Sequence, residues 1–240
     1  GIGTAICREL AKEGADIFFT HWSNYDRQME YFIEDDSIWS QLLMEEIRSV
    51  GVRCESMELD LSQPDAPRKL LDAVNEKLGS PSILVNNATY SVDVDFRSIN
   101  AIILDSHYGV NIRGTFLLSV EFARQIEGKH GGRIINMVSG QDKSPELGNL
   151  AYVATKGAVS TFTKSVALEL APLKITVNAV DPGPTDSGWM NSELKESLLP
   201  KFPMGRIGEP RDAAKLIVFL ASEESEWITG QIIHSDGGFW

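Results

Sequence analysis

Apolar and polar positions alternate in blocks along this chain rather than residue by residue. Short apolar runs recur at Asp16–Thr20, Arg53–Leu59, Ile83–Val85, Arg133–Val138, Ile175–Val180 and Gln231–His234. None shows a strict period of two, which is the pattern of strands covered on both faces. Between them, Thr4–Glu13, Trp39–Val50, Asp65–Leu78, Asn100–Glu127, Tyr152–Leu170 and Arg211–Ala221 carry apolar residues at helical spacing. Gly14, Gly51 and Gly79 each follow a helical run and read as helix stops. Strand and helix alternate from end to end, so the pattern predicts an α/β fold with a parallel sheet in one domain spanning residues 1–240.

One stretch breaks the rhythm. Residues 21–40 connect a strand to its following helix, where about two to six residues usually suffice. The stretch holds the aromatics Trp22, Tyr25, Tyr31, Phe32 and Trp39 and the acids Asp26, Glu30, Glu34, Asp35 and Asp36. It reads as an insertion: a surface excursion packed on its own side chains in the favoured reading, a wall beside a ligand or a subunit contact in the other.

Charge narrows the partners. Lys and Arg number 22 against 34 Asp and Glu, a net charge of −12. No cationic surplus exists to neutralise phosphates, so neither nucleic acid nor an anionic membrane surface is expected. Apolar runs stay far below the roughly 20 residues of a membrane span. Cys7 and Cys54 form no framework and no C-x-x-C pair, and with no basic-then-apolar leader at Gly1-Ile2-Gly3 they imply a reduced, cytoplasmic protein.

Four local patterns carry chemistry. Gly1-Ile2-Gly3 opens a helix that is followed by a strand, as in the second half of a dinucleotide-binding unit. Tyr152 and Lys156, four residues apart on a helix, share one face. There the cation favours the phenolate, so a tyrosine normally titrating near about 10 becomes a usable acid or base. Ser139 directly follows the apolar run Arg133–Val138, and ligands of open α/β sheets bind beyond the carboxyl ends of strands. Asn111 sits within a long helical run. Each pattern alone also fits a bland role: a chance glycine pair, a surface helix, a turn serine, a hydrating helix asparagine.

Taken in order, they resemble the short-chain dehydrogenase/reductase family, in its compact type that includes bacterial 3-oxoacyl-carrier-protein reductases. The likeness spans the whole chain. Gly1-Ile2-Gly3 is similar to the end of the family's T-G-x-x-x-G-I-G turn, and Asp60-Leu61 to its adenine-holding acid. Asn86-Asn87-Ala88 resembles its N-N-A-G, and Asn111, Ser139, Tyr152 and Lys156 its catalytic quartet. Pro182-Gly183 with Thr185 and Ser187 resembles its segment beside the nicotinamide. Gly205-Arg206-Ile207-Gly208-Glu209-Pro210, Ile228-Thr229-Gly230-Gln231 and Asp236-Gly237-Gly238 complete its C-terminal signature. Thr89 replaces a family glycine and Ser187 a threonine. The family's first strand and opening glycine are not in this sequence, and about fifteen to twenty-five residues are expected ahead of Gly1; a truncated, inactive protein is the alternative.

The resemblance implies a Rossmann-type, doubly wound three-layer α/β/α fold and hydride transfer between a nicotinamide and a small carbonyl or alcohol substrate. Tyr152 would then supply the proton, and Ser139 would orient the oxygen. Lys156 would tune the tyrosine and hold the ribose, and Asn111 would anchor a relay water. Cofactor contacts are expected from Gly1, Ile2, Gly3, Thr20, His21, Asp60, Leu61, Asn87, Ala88, Tyr152, Lys156, Pro182, Gly183, Thr185 and Ser187, with no metal. Phe19-Thr20-His21-Trp22-Ser23 has no acid to hold a ribose 2′-hydroxyl, so NADP(H) is favoured over NAD(H).

Residues 185–202 are expected to form a lid whose Trp189, Met190, Leu198 and Leu199 suit a substrate with hydrophobic surface. The cations expected at the rim, Lys129, His130 and Lys174, are scattered, which argues against an acidic carrier-protein substrate. A homotetramer, or a dimer, pairing the long helices is implied, although Phe116, Leu117, Val120, Phe162 and Val166 equally suit a core. A catalytically silent dinucleotide-binding scaffold or sensor is the alternative function. Extended-type isomerases and dehydratases need a larger C-terminal domain than this chain offers.

Overall fold

The computed structural model describes residues 1–27, 38–129, 131–143, 145 and 147–239. Among the described residues six strands form: β1 (Ile17–His21), β2 (Cys54–Glu58), β3 (Ile83–Asn86), β4 (Gly132–Met137), β5 (Ile175–Asp181) and β6 (Ile232–His234). All pair in parallel, and each lies where an apolar run predicted it. The helices are α1 (Ile2–Lys12), α2 (Ser23–Asp26), α3 (Trp39–Ser49), α4 (Ala66–Lys77), α5 (Ala101–His107), α6 (Thr115–Ile126), α7 (Leu150–Leu170), α8 (Ser192–Leu198) and α9 (Pro210–Ala221).

Helices cover both faces of the strand array, giving the expected three-layer Rossmann-like α/β architecture. Leu10 of α1, Ile47 of α3 and Ile217 of α9 pack with Ile135 and Val180 on one face. Leu71 of α4, Phe122 of α6 and Val166 of α7 pack with Ile134 and Val177 on the other. Every residue of β5 is buried, which is why its sequence reads as one apolar run without alternation. Gly14, Gly51 and Gly79 end their helices at positive φ, as the sequence suggests.

Two features depart from the pattern. The strands form two hydrogen-bonded sets, β1–β2 and β3–β4–β5–β6, and the array is open between β1 and β3. The single helix expected over Asn100–Glu127 is interrupted by a π-helical turn, Tyr108–Gly114. Such turns insert one residue and redirect side chains. This one turns Asn111 inward, where it is 1% exposed.

The described ends of the 21–40 insertion meet each other and the sheet. Trp39 lies against Phe19 and His21 of β1 at ring separations of 6.0 and 5.7 Å. The Tyr25 hydroxyl accepts from the Ser91 amide at 3.2 Å, and its ring lies 5.4 Å from Tyr90. Aromatic surface at each end therefore packs partly within the stretch, through His21 and Trp39, and partly on Phe19 of the sheet and on the loop after β3. Glu30, Tyr31, Phe32, Glu34, Asp35 and Asp36 lie outside the described residues, as does His130.

Candidate active site

A cleft runs from the gap between β1 and β3 to the carboxyl ends of β3, β4 and β5. Gly1 is the N-cap of α1, and the first turn of that helix opens into the cleft. The unpaired N–H groups of a helix start favour an anion such as a diphosphate. Gly3 needs its missing side chain: a methyl there would lie 2.8 Å from Asn87 Nδ2. This close approach brings α1 against the loop after β3, so the cradle fits a dinucleotide.

Most residues expected at the cofactor line this cleft: Ile2, Thr20, His21, Leu61, Ala88 and Tyr152, together with Pro182, Gly183, Thr185 and Ser187. Thr185 is 5% exposed, and its hydroxyl donates to the Pro182 and Gly183 carbonyls at 3.1 and 3.2 Å, so it braces the turn. Asp60 does not line the cleft. Its carboxylate accepts from the Ser62 amide and from Gln63 Nε2, each at 2.8 Å. Burial opposes its ionisation, but those hydrogen bonds and Arg113 outweigh it and hold the carboxyl below its usual range. Each carboxylate oxygen keeps a second lone pair beyond these two bonds.

Tyr152 and Ser139 face the same cleft. Ser139 follows β4 and precedes a short 3₁₀ turn, Gly140–Asp142. Lys156 stands behind Tyr152, with Nζ 5.4 Å from the centre of its ring. Nζ also donates to the Met137 carbonyl at 2.9 Å. Desolvation in this position, 5% exposed, pushes the ammonium pKa down to about 8.

Asn111 uses all of its side-chain capacity on protein. Nδ2 donates to the Tyr90 carbonyl at 2.9 Å and to Thr155 Oγ1 at 3.0 Å. Oδ1 accepts from the Tyr90 amide at 2.7 Å and from Thr89 Oγ1 at 3.1 Å. An amide has two donors and two lone pairs, so these four bonds leave its side chain no capacity for a further partner. It ties the loop after β3 to α7 instead, and Thr89, the departure from the family glycine, is part of that tie.

The sequence reading named Asn86 only as part of a motif, and it missed the partners of Asn86 and a role for Glu58. Asn86 Nδ2 donates to Ser119 Oγ at 3.0 Å and to Asn136 Oδ1 at 2.8 Å, and Asn136 Nδ2 donates to Thr163 Oγ1 at 2.9 Å. This buried polar chain fixes the end of β3 against β4, α6 and α7. Asn and Thr at strand and helix positions gave the only hint. Glu58, at the end of β2, accepts from the Ser23 amide at 3.1 Å, so an acid does stand near the acid-free stretch 19–23. It belongs to the neighbouring strand, which no reading of 19–23 alone could show.

A family profile described as "Enoyl-(Acyl carrier protein) reductase" matches residues 1–240. An "Uncharacterized oxidoreductase YjdA" of Bacillus subtilis (strain 168) is 56% identical over 240 residues, covering 99% of this chain and 91% of that protein. A "3-oxoacyl-[acyl-carrier-protein] reductase FabG" of Aquifex aeolicus (strain VF5) is 32% identical, covering 100% and 93%. The crystal structure of a short chain dehydrogenase from Burkholderia cenocepacia J2315 in complex with NADP superimposes with a TM-score of 0.88 at 29% identity, covering 99% and 93%.

The chain belongs to the short-chain dehydrogenase/reductase family.

This short-chain dehydrogenase/reductase is thus an NAD(P)-dependent oxidoreductase acting on CH–OH groups, interconverting ketone and secondary alcohol. The silent-scaffold reading is not supported. Both cysteines are free thiols. Burial pushes the Cys7 thiol up to about 12 and the Cys54 thiol up to about 11. Among the described residues, no helix is long and apolar enough to cross a membrane.

Proposed function

We propose that this enzyme uses NADP(H) to interconvert a hydrophobic small-molecule ketone and its secondary alcohol, with Tyr152 as proton donor and acceptor. The observation that carries the reading is the joint one: Tyr152 and Ser139 line the cleft opened by α1, and Lys156 Nζ lies 5.4 Å behind the tyrosine ring. A bound nicotinamide supplies the hydride. In reduction, Ser139 Oγ donates a hydrogen bond to the substrate oxygen, and Tyr152 gives that oxygen its proton. Lys156 favours negative charge on the phenol oxygen left behind, while Asn111 positions α7 through Thr155, whose Oγ1 donates to the Tyr152 carbonyl at 2.7 Å.

NADP(H) is supported by the absence of an acid within residues 19–23 and by His21 on the cleft wall. The solved relative in complex with NADP points the same way. A hydrophobic substrate is supported by Trp189, Leu194, Leu198 and Phe239 in the cleft lining. Met190, Leu198, Phe202 and Phe239 form a small separate core, which suits residues 185–202 to move as a lid. The net charge of −12 disfavours an acidic carrier protein as substrate.

We assign the enzyme to the cytoplasm as a homo-oligomer paired through α5 to α7, where Leu104, Tyr108 and Leu117 are exposed. Phe116 and Phe162 stack at 3.7 Å on the same side, whereas Val166 is core. A sizing column returning the monomer mass removes the oligomer. The functional test is Tyr152→Phe assayed on a ketone panel by NADPH absorbance. Turnover should fall at least about 100-fold with NADPH binding retained; unchanged turnover refutes the assignment.

A further inference from the structure

We infer that Asp181 is a positioning residue of this reaction, holding the Ser139–Gly140 turn and the Pro182–Gly183 turn in fixed relation; the inference rests on the reading given under Proposed function. Asp181 is the last residue of β5, between the ends of β4 and β6. It is 1% exposed, a carboxylate in a place where charge is costly unless every oxygen is satisfied.

The side chain reaches all three neighbouring segments. Oδ1 accepts from the Gly183 amide at 2.9 Å, and Oδ2 meets His234 Nδ1 at 2.7 Å. On the opposite side Oδ2 presses on Gly140, where an added methyl group would overlap it. The main chain supports the same junction: Val138 N donates to the Val180 carbonyl at 2.9 Å, and Ser235 N to the Asp181 carbonyl at 2.7 Å. An ion pair runs parallel, with Lys143 Nζ, just past the Ser139 turn, 2.7 Å from Asp236 Oδ2. Ligand atoms of Asp181, His234 and Asp236 lie within 4.8 Å of one another, a spacing a metal ion could also use. Asp236 already carries the Lys143 ammonium, and Asp181 already accepts from Gly183 and contacts His234. The cluster reads as a closed clamp.

Its consequence is geometric. Ser139 fixes the reacting oxygen and the Pro182–Gly183 turn lines the cofactor side of the cleft, so their separation sets the distance the hydride must cross. Errors near 1 Å in such positioning change rates by about 100-fold. Asp181 lines the same cleft, but its carboxylate is taken up by Gly183 and His234, so its removal should alter the chemical step more than binding.

The test compares wild type, Asp181→Ala, Asp181→Asn and Gly140→Ala with NADPH or NADPH deuterated at the transferred position. Asp181→Ala should lower kcat at least about tenfold, change KM for NADPH less than about threefold, and raise the primary isotope effect on kcat. Asp181→Asn keeps the acceptor for Gly183 and the side-chain volume, so it should restore kcat to within about threefold of wild type. Gly140→Ala, which pushes on the clamp from the other side, should raise the isotope effect as well. An isotope effect that stays at the wild-type value in both alanine variants, or an asparagine variant as slow as alanine, overturns the inference. A wild-type enzyme without NAD(P)H-linked turnover overturns the underlying reading too, and the two failures are told apart by the wild-type assay.

Discussion

Lys156 approaches Tyr152 from behind, its Nζ 5.4 Å from the centre of the phenol ring and held there by the Met137 carbonyl. Four residues of helix bring the two side chains to one face, but the carbonyl from β4 decides which way the ammonium points. That ammonium is buried, and burial lowers its pKa from 10.5 to about 8.

The lowered pKa makes stability depend on pH with a definite sign. Between about pH 8 and 10.5 the unfolded chain keeps a proton on Lys156 that the folded chain has released. Stability therefore rises with pH through that window, and below about 8 the folded state bears the whole penalty, on the order of 3 kcal/mol. Lys156→Met should lose turnover at least about 100-fold. Its Tm advantage over wild type should be greatest at pH 7 and shrink toward pH 10. Thermal unfolding of both proteins across that range checks this, and a pH-independent difference contradicts it.

Glu58 should set part of the cofactor preference. Its carboxylate sits on the Ser23 amide, where it would repel a ribose 2′-phosphate. Glu58→Gln keeps the acceptor and removes the charge, so kcat/KM for NADPH should rise about three- to tenfold relative to NADH, the scale of one exposed charge. Steady-state kinetics with one ketone and both cofactors measures the ratio. A ratio that does not move places Glu58 outside the cofactor site.

Gly3 should be intolerant of a side chain for a local reason. Gly3→Ala forces Asn87 to shift, because the new methyl would lie 2.8 Å from its Nδ2. KM for the cofactor should rise about tenfold while Tm moves by less than about 3 °C, since only the tip of one side chain must give way. Cofactor titration with thermal melting separates the two effects.

Asn136 carries stability rather than chemistry. It is fully buried and links Asn86 to Thr163. Asn136→Ala leaves donors and acceptors unpaired in the core and should cost about 2–4 kcal/mol. Urea unfolding gives the value directly. A cost below about 1 kcal/mol means that the neighbours re-pair without it.

Much of this enzyme was legible in the residue pattern. Blocks of apolar residues, each too short for a helix or periodic at helical spacing, located six strands and the long helices to within about two residues. Period and length are local properties that the backbone expresses wherever the chain goes. The order of Gly1-Ile2-Gly3, Asn111, Ser139, Tyr152 and Lys156 was likewise enough to indicate the family.

The tertiary structure decided what each side chain does with its hydrogen bonds. Asn111 turned inward on a π-helical turn and tied Thr89 and Tyr90 to Thr155. Asp60 accepted from Ser62 and Gln63 of its own loop. Glu58 crossed from the next strand to Ser23, and Asp181 joined the ends of β5 and β6, which lie far apart in the chain. Sequence spacing fixes which residues share a face of one element. Which acceptor a buried donor finds depends on the elements packed beside it, and those are chosen by long-range burial of apolar surface that no local window contains.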